Sequence, residues 1–206
     1  MRFFVLEGLD GSGKTTQAKL LGEWFDAKSL PYVVTRQPSD NQVGKLARAA
    51  TQGAFSLENE TLALLFAADR FQHYHEEIAP ALSRGNFVVC DRYYFSNLAY
   101  QGEDHAAMAR IIAYNQSIMT PPSRKPDAVI FLDIPPEECL RRITETREEI
   151  SIYETMDRLK LQRERFFTAF ELLRDSENII MVKPEIFDAS HVFETIVNKI
   201  SPLCSI

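Results

Sequence analysis

Compact apolar runs and amphipathic stretches alternate along this chain. Arg2–Glu7, Tyr32–Thr35, Phe87–Cys90, Ala128–Asp133 and Ile179–Lys183 have the length and the Val, Ile, Leu and Phe content of buried strands. Between them, apolar positions recur at helical spacing. Thr15–Lys28 carries Leu20, Leu21 and Trp24 on one face, and Leu57–Arg84, Ala106–Met119, Pro136–Thr146, Tyr153–Asp175 and Ser190–Ile200 follow. Pro80 is expected to perturb the helix that begins at Leu57, because proline lacks an N–H and crowds the preceding turn. Strand alternating with helix predicts a mainly parallel sheet covered by helices on both faces, as a single α/β domain over residues 1–206. No repeat or low-complexity tract breaks this order, and the charged stretch Arg147–Ile152 is the nearest thing to a hinge.

Composition narrows the function classes. The 206 residues are 45% hydrophobic and 25% charged, close to globular averages, which excludes disordered, collagen-like and coiled-coil readings. Net charge is −6, which argues against a nucleic-acid or anionic-membrane surface and leaves room for a local anion site. The longest apolar stretch, Leu62–Ala68, falls far short of the roughly 20 residues of a membrane span. Met1–Gly8 has neither a long apolar core nor a small-residue cleavage site and reads as part of the fold. Cys90, Cys139 and Cys204 form neither a zinc pattern nor a disulfide framework, so reduced thiols and a cytoplasmic location are expected. His73 and His75 point different ways on one helix and read as surface positions, and His105 and His191 are isolated.

The chemistry begins at Gly8-Leu9-Asp10-Gly11-Ser12-Gly13-Lys14-Thr15, which fits G-x-x-x-x-G-K-[ST] between a strand and a helix. Glycines let the backbone curl so that N–H groups face phosphate oxygens, and the helix start adds its positive end. Lys14 would reach the outer phosphates and the Thr15 hydroxyl would ligate Mg²⁺. A nucleoside triphosphate is the expected ligand. Asp91 and Arg92 leave the C-terminal end of the third strand, the edge where open α/β sheets bind ligands. Asp91 could hold Mg²⁺ through water, and Arg92 could grip an anion.

With these residues in place the chain resembles the thymidylate kinases over most of its length. The resemblance is carried by the phosphate loop continuing to Thr16, by Leu65-Phe66-Ala67-Ala68-Asp69-Arg70, and by Asp91-Arg92-Tyr93-Tyr94-Phe95-Ser96 running on to Gly102. Lys125-Pro126-Asp127 and Tyr153-Glu154 add to it. It implies a P-loop NTPase three-layer fold with a five-stranded parallel sheet and a short lid at about 141–153. It also implies in-line transfer of the γ-phosphoryl group of ATP to dTMP, with Mg²⁺ and without a phosphoenzyme. Partners would be the two nucleotides, with neither nucleic acid nor membrane, in a homodimer. Another nucleoside monophosphate kinase, or an ATP-binding switch without turnover, stand as alternatives.

Residue by residue, the resemblance implies that Phe66 stacks on thymine and Arg70 hydrogen-bonds the base. Arg36 and Arg92 would hold the acceptor phosphate, Asp10 would sit near the sugar 3′-hydroxyl, and Tyr100 would pack on the deoxyribose. Ser96 belongs to the same motif, Gln101 is a second base contact, and Tyr153 would close over the sugar. No residue between Gly8 and Gly13 is basic, so the transition-state cation would come from the lid, with Arg147 as the candidate. Arg142 would pack on the adenine and Arg141 would point outward. Two departures stand out. Ser39-Asp40-Asn41-Gln42 replaces the usual Gly-Gly or Glu-Arg after Arg36-Gln37-Pro38, and the sequence does not say how that loop closes. Lys183-Pro184-Glu185 stands where an aspartate commonly follows the last strand, which implies a different adenine-side loop.

Overall fold

The computed structural model describes residues 2–118, 125–146 and 155–204. Five parallel strands form one sheet: β1 (Phe3–Gly8), β2 (Tyr32–Arg36), β3 (Phe87–Asp91), β4 (Ala128–Leu132) and β5 (Ile179–Val182), in the order β2-β3-β1-β4-β5. β1 is central, with Val5 opposite Cys90 on one side and Val129 on the other. Every residue of β1, β3 and β4 is buried, whereas β2 and β5 at the edges are partly exposed. Strands covered on both faces must be apolar along their whole length, which is why these runs were readable.

Helices α1 (Lys14–Ala27) and α9 (Ala189–Cys204) pack together, and α1 lies on β1, β2 and β3. α5 (Tyr94–Gln101) packs on α8 (Met156–Leu173), whose Phe166 and Phe170 meet Phe131 of β4. α2 (Gln42–Thr51) packs on α3 (Asn59–His73), α3 on α6 (His105–Ile118), and α7 (Pro136–Thr146) on α8. The segment expected as one helix over 57–84 begins at Asn59 and widens into a π-helical turn at Tyr74–Ile78 before α4 (Ala79–Ser83). Pro80 cannot donate to the Glu76 carbonyl and its ring crowds it; widening the preceding turn relieves that conflict. α2 and α5 were not anticipated.

The chain builds β2 and β3 on one side of β1 and then β4 and β5 on the other. The C-terminal end of β1 is therefore the switch point of the sheet, where loops diverge and leave a crevice.

Candidate active site

The loop after β1 turns back on itself through left-handed glycines, Gly11 at φ 78° and Gly13 at φ 94°. A Cβ at Gly11 would lie 2.4 Å from the Cys139 carbonyl oxygen, so only glycine lets the loop lie against α7. Lys14 is buried and folds back over the loop, donating to the carbonyls of Leu9 (2.7 Å) and Gly8 (3.1 Å). Burial and the nearby Arg92 charge push its pKa down, with Asp10, Asp91 and Glu7 partly opposing them. The Thr15 hydroxyl donates to Asp91 Oδ2 at 2.6 Å, while Asp91 Oδ1 is buried and accepts no hydrogen bond among the described residues. A hydroxyl and a carboxylate with one idle oxygen, side by side at the start of α1, suit a hard divalent cation.

Opposite the loop, Arg92 holds a left-handed backbone at φ 70° and reaches back to Asp10. Its guanidinium also donates to Ser96 Oγ (3.1 Å) and to the Tyr100 oxygen (3.3 Å), and lies over the Tyr100 ring. Tyr100 in turn donates to Asp10 Oδ2 at 2.8 Å. Asp10, Arg92, Ser96 and Tyr100 are thus one cluster. Although burial lowers the Arg92 pKa, Asp10, Tyr100, Asp91 and Glu7 together carry it above the ordinary arginine value, so this cation is permanent. Beneath the cluster lies Glu7, fully buried, accepting from Tyr93 N (2.8 Å), Ser96 N (3.1 Å) and Ser96 Oγ (2.5 Å).

The loop after β2 closes on Asp69. Ser39 donates to it through N (2.9 Å) and Oγ (2.5 Å), and Arg48 of α2 donates to the carbonyls of Pro38 (2.7 Å) and Ser39 (3.2 Å). Arg36 and Arg48 both reach Asp40 Oδ1 at 3.0 Å. This is how Ser39-Asp40 replaces the glycine pair. His73 is buried, contrary to the surface position expected for it. The Gln37 amide faces its Nδ1 at 3.2 Å, and its Nε2 lies 2.8 Å from Thr35 Oγ1 and 3.1 Å from Glu77. Thr35 of β2 and Gln37 of the loop after it draw it inward, which its spacing along one helix could not reveal.

Arg70 is fully buried below Tyr93, and its Nη1 donates to Asn115 Oδ1 of α6 at 2.5 Å. Asn115 is oriented by its own donation to the Ile111 carbonyl. Phe66, half-buried, lies one turn before Arg70. Gln101 is buried and accepts from Asn97 Nδ2 at 3.1 Å. On the other flank Arg142 donates to Glu138 (2.7 Å), to the Gly11 carbonyl (3.2 Å) and to the Phe187 carbonyl, bridging α7, the phosphate loop and the segment before α9. Arg141 is exposed, held by Glu138 and Glu145, yet it also contributes to the cleft lining. Arg147 and Tyr153 lie outside the described residues.

One cleft of about 940 Å³ runs from Arg142, Phe187 and Asp188, across the phosphate loop (Asp10–Gln17, with Thr16), to Asp91, Arg92, Arg36 and Arg48. Phe66, Arg70, Ser96, Tyr100 and Gln101 do not line it. Sequence reasoning missed Glu7, Arg48, Asp69, Asn115 and Glu138. Only Glu7 gave a signal, a lone charge closing an apolar strand.

The sequence model of the thymidylate kinase family matches residues 6–200. A probable thymidylate kinase of Pyrococcus horikoshii is 46% identical over 147 residues, 68% of this chain and 69% of its own. One from Thermococcus kodakarensis is 34% identical over 209 residues, covering 98% of this chain and 96% of its own. A thymidylate kinase of Cutibacterium acnes is 38% identical over 142 residues, 66% of this chain and 67% of its own. With a five-stranded parallel sheet flanked by helices and the phosphate loop at its switch point, the chain belongs to the thymidylate kinase family.

Proposed function

We propose that this chain transfers the γ-phosphoryl group of ATP to dTMP, giving ADP and dTDP. The observation that supports this reading is that one cleft is lined both by the phosphate loop and by Arg36 and Arg92, a chamber that suits a triphosphate and an acceptor anion together. Residues 8–16 cradle the triphosphate through backbone N–H groups, with Lys14 on the outer phosphates. Lys14 must leave the Gly8 and Leu9 carbonyls to do so, exchanging two neutral acceptors for an anionic one. Arg142 would pack on the adenine.

On the acceptor side, Arg36 and Arg92 hold the monophosphate and Asp10 faces the sugar. Tyr100 packs on the deoxyribose, with Phe66, Arg70, Ser96 and Gln101 deeper in, around thymine. An arginine only donates, so Arg70 suits the thymine O4 acceptor and disfavours the amino group of cytosine. Tyr153 and Arg147, outside the described residues, would contact the sugar and supply the last cation. Thr15 and Asp91 would hold Mg²⁺, whose part is to neutralise charge on the triphosphate oxygens. The acceptor oxygen is already ionised near neutral pH, so no strong general base is required. Catalysis then rests on positioning and on the positive charges of Lys14, Arg92 and Arg147.

We also read the protein as a cytoplasmic homodimer. No described helix is long and apolar enough to cross a membrane. Leu64, Ala68 and Phe71 form an exposed apolar stripe along α3, a surface suited to a second copy. Light scattering on Phe71→Glu, expected to give a monomer, tests that assembly.

The reaction is tested by coupled ADP release with Mg-ATP against dTMP, dUMP, UMP, CMP, AMP and GMP in parallel. Strong preference for dTMP is expected. Preference for another monophosphate would keep the transfer chemistry and discard the thymine pocket, and no transfer to any would discard both.

A further inference from the structure

Glu7 is a charged residue in the middle of the sheet. It is fully buried one position before the phosphate loop begins, on the central strand. Burying a carboxylate costs several kcal/mol unless donors surround it. Here three do, all from the start of α5: Tyr93 N, Ser96 N and Ser96 Oγ. No side chain of α5 caps its own start, so Glu7 is a cap supplied from a strand, with its charge facing the positive helix end.

A cap alone would need only the two backbone N–H groups. The third bond adds a relay. Ser96 has one hydroxyl proton, and giving it to Glu7 Oε2 fixes which way the oxygen lone pairs face. One of them meets Arg92 Nη1 at 3.1 Å. The Tyr93 N bond meanwhile pins the residue after Arg92, whose left-handed backbone aims the guanidinium at Asp10. We propose that Glu7 is a positioning residue for phosphoryl transfer, holding Arg92 through Ser96 in register with the phosphate loop that Glu7 itself introduces. One carboxylate thereby ties the triphosphate cradle to the acceptor-phosphate cation. The inference rests on the role given to Arg92 above.

The test is a double-mutant cycle between Glu7→Gln and Arg92→Ala in the full chain, read as kcat and both KM values. The substituted amide keeps a carbonyl oxygen for the backbone N–H groups, but its NH₂ would donate to Ser96 Oγ and release the hydroxyl proton. With Arg92 present, Glu7→Gln is expected to lower kcat by about tenfold or more, with KM for ATP changed less than about twofold. In the Arg92→Ala background the same change should cost less than about twofold, because coupled residues do not add. The same loss in both backgrounds, or no loss in a folded protein, overturns the proposal and leaves Glu7 a cap. Should Glu7→Gln fail to fold, Ser96→Ala takes its place in the cycle, since it spares both backbone bonds. The cycle runs on whichever monophosphate the unmutated protein phosphorylates, so a wrong acceptor does not decide the fate of Glu7. No transfer to any monophosphate overturns both readings.

Discussion

Thr15 Oγ1 donates to Asp91 Oδ2 across 2.6 Å, joining the first turn of α1 to the end of β3. Neither residue needs the other to fold its own element, yet the bond brings one hydroxyl and one carboxylate to the same point beside Lys14. The second oxygen of Asp91 is buried and idle, and idle buried oxygens are costly unless a ligand uses them.

Asp91→Asn keeps the shape of the pair and removes its charge. The expected result is an apparent Mg²⁺ requirement raised about 10- to 100-fold, with part of kcat recovered at high Mg²⁺. A titration of kcat against Mg²⁺ concentration checks this. An unchanged requirement would place the ion on other residues.

The amide that faces Arg70 makes a second prediction. Asn115 is neutral, so it aims the buried guanidinium without consuming its charge, and the Asp69 carboxylate is turned away to Ser39. Burial already pushes the Arg70 pKa down, so its charge is held at a cost that a ligand acceptor would offset. Asn115→Ala should raise KM for dTMP about tenfold, the worth of one hydrogen bond to a charged group. Arg70→Ala should raise it more. KM for ATP should stay within about twofold in both, and equal effects on the two substrates would separate Arg70 from the base.

Gly44 offers a third test, on the loop whose closure the sequence left open. A Cβ there would sit 2.2 Å from the Ser39 carbonyl oxygen, 2.6 Å from Ser39 N and 2.8 Å from Asp69 Oδ1. Neither of the backbone atoms can yield without opening the loop that follows Arg36 and carries Asp40. Gly44→Ala is expected to destabilise the fold by about 1–3 kcal/mol, the usual cost of overpacking. It should also raise KM for dTMP while ATP binding persists. Thermal unfolding and the two KM values decide it, and an unperturbed KM for dTMP would mean that the loop does not touch the acceptor.

What the sequence made legible follows from how local each signal is. Buried parallel strands announce themselves as apolar runs, and the phosphate loop, Asp91 and Arg92 are contiguous motifs that need no partner to be read. α5 is only eight residues and buried on nearly every side, so no stripe marks it, and its cap comes from Glu7. α2 did carry a local sign, Asn41 accepting from Gly44 N at 2.8 Å, hidden inside a departure from the family's usual loop. The supporting residues act across the chain: Glu7 on a residue 86 positions away, Asn115 on one 45 away, Asp69 on one 30 away. Such pairings exist only once the sheet has brought them together.

Glu138 yields a prediction in pH. Hydrogen bonds from Arg141, then Arg142, outweigh its partial burial and carry its pKa from 4.5 down to about 2. Between those values the folded protein binds fewer protons at this site than the unfolded chain does. The pair's contribution to stability is therefore complete above about pH 4.5 and is lost as pH falls toward 2. Glu138→Gln abolishes that contribution, so its melting temperature should lie below that of the unmutated protein at pH 6, with the gap narrowing as the solution is acidified. The same substitution loosens Arg142, which Glu138 holds at 2.7 Å over the phosphate loop. KM for ATP should then rise severalfold with KM for dTMP unchanged. A gap in melting temperature that stays constant from pH 6 to pH 3 would show that the ion pair is not what Glu138 contributes. A rise in the dTMP constant instead would place Arg142 on the acceptor side of the cleft.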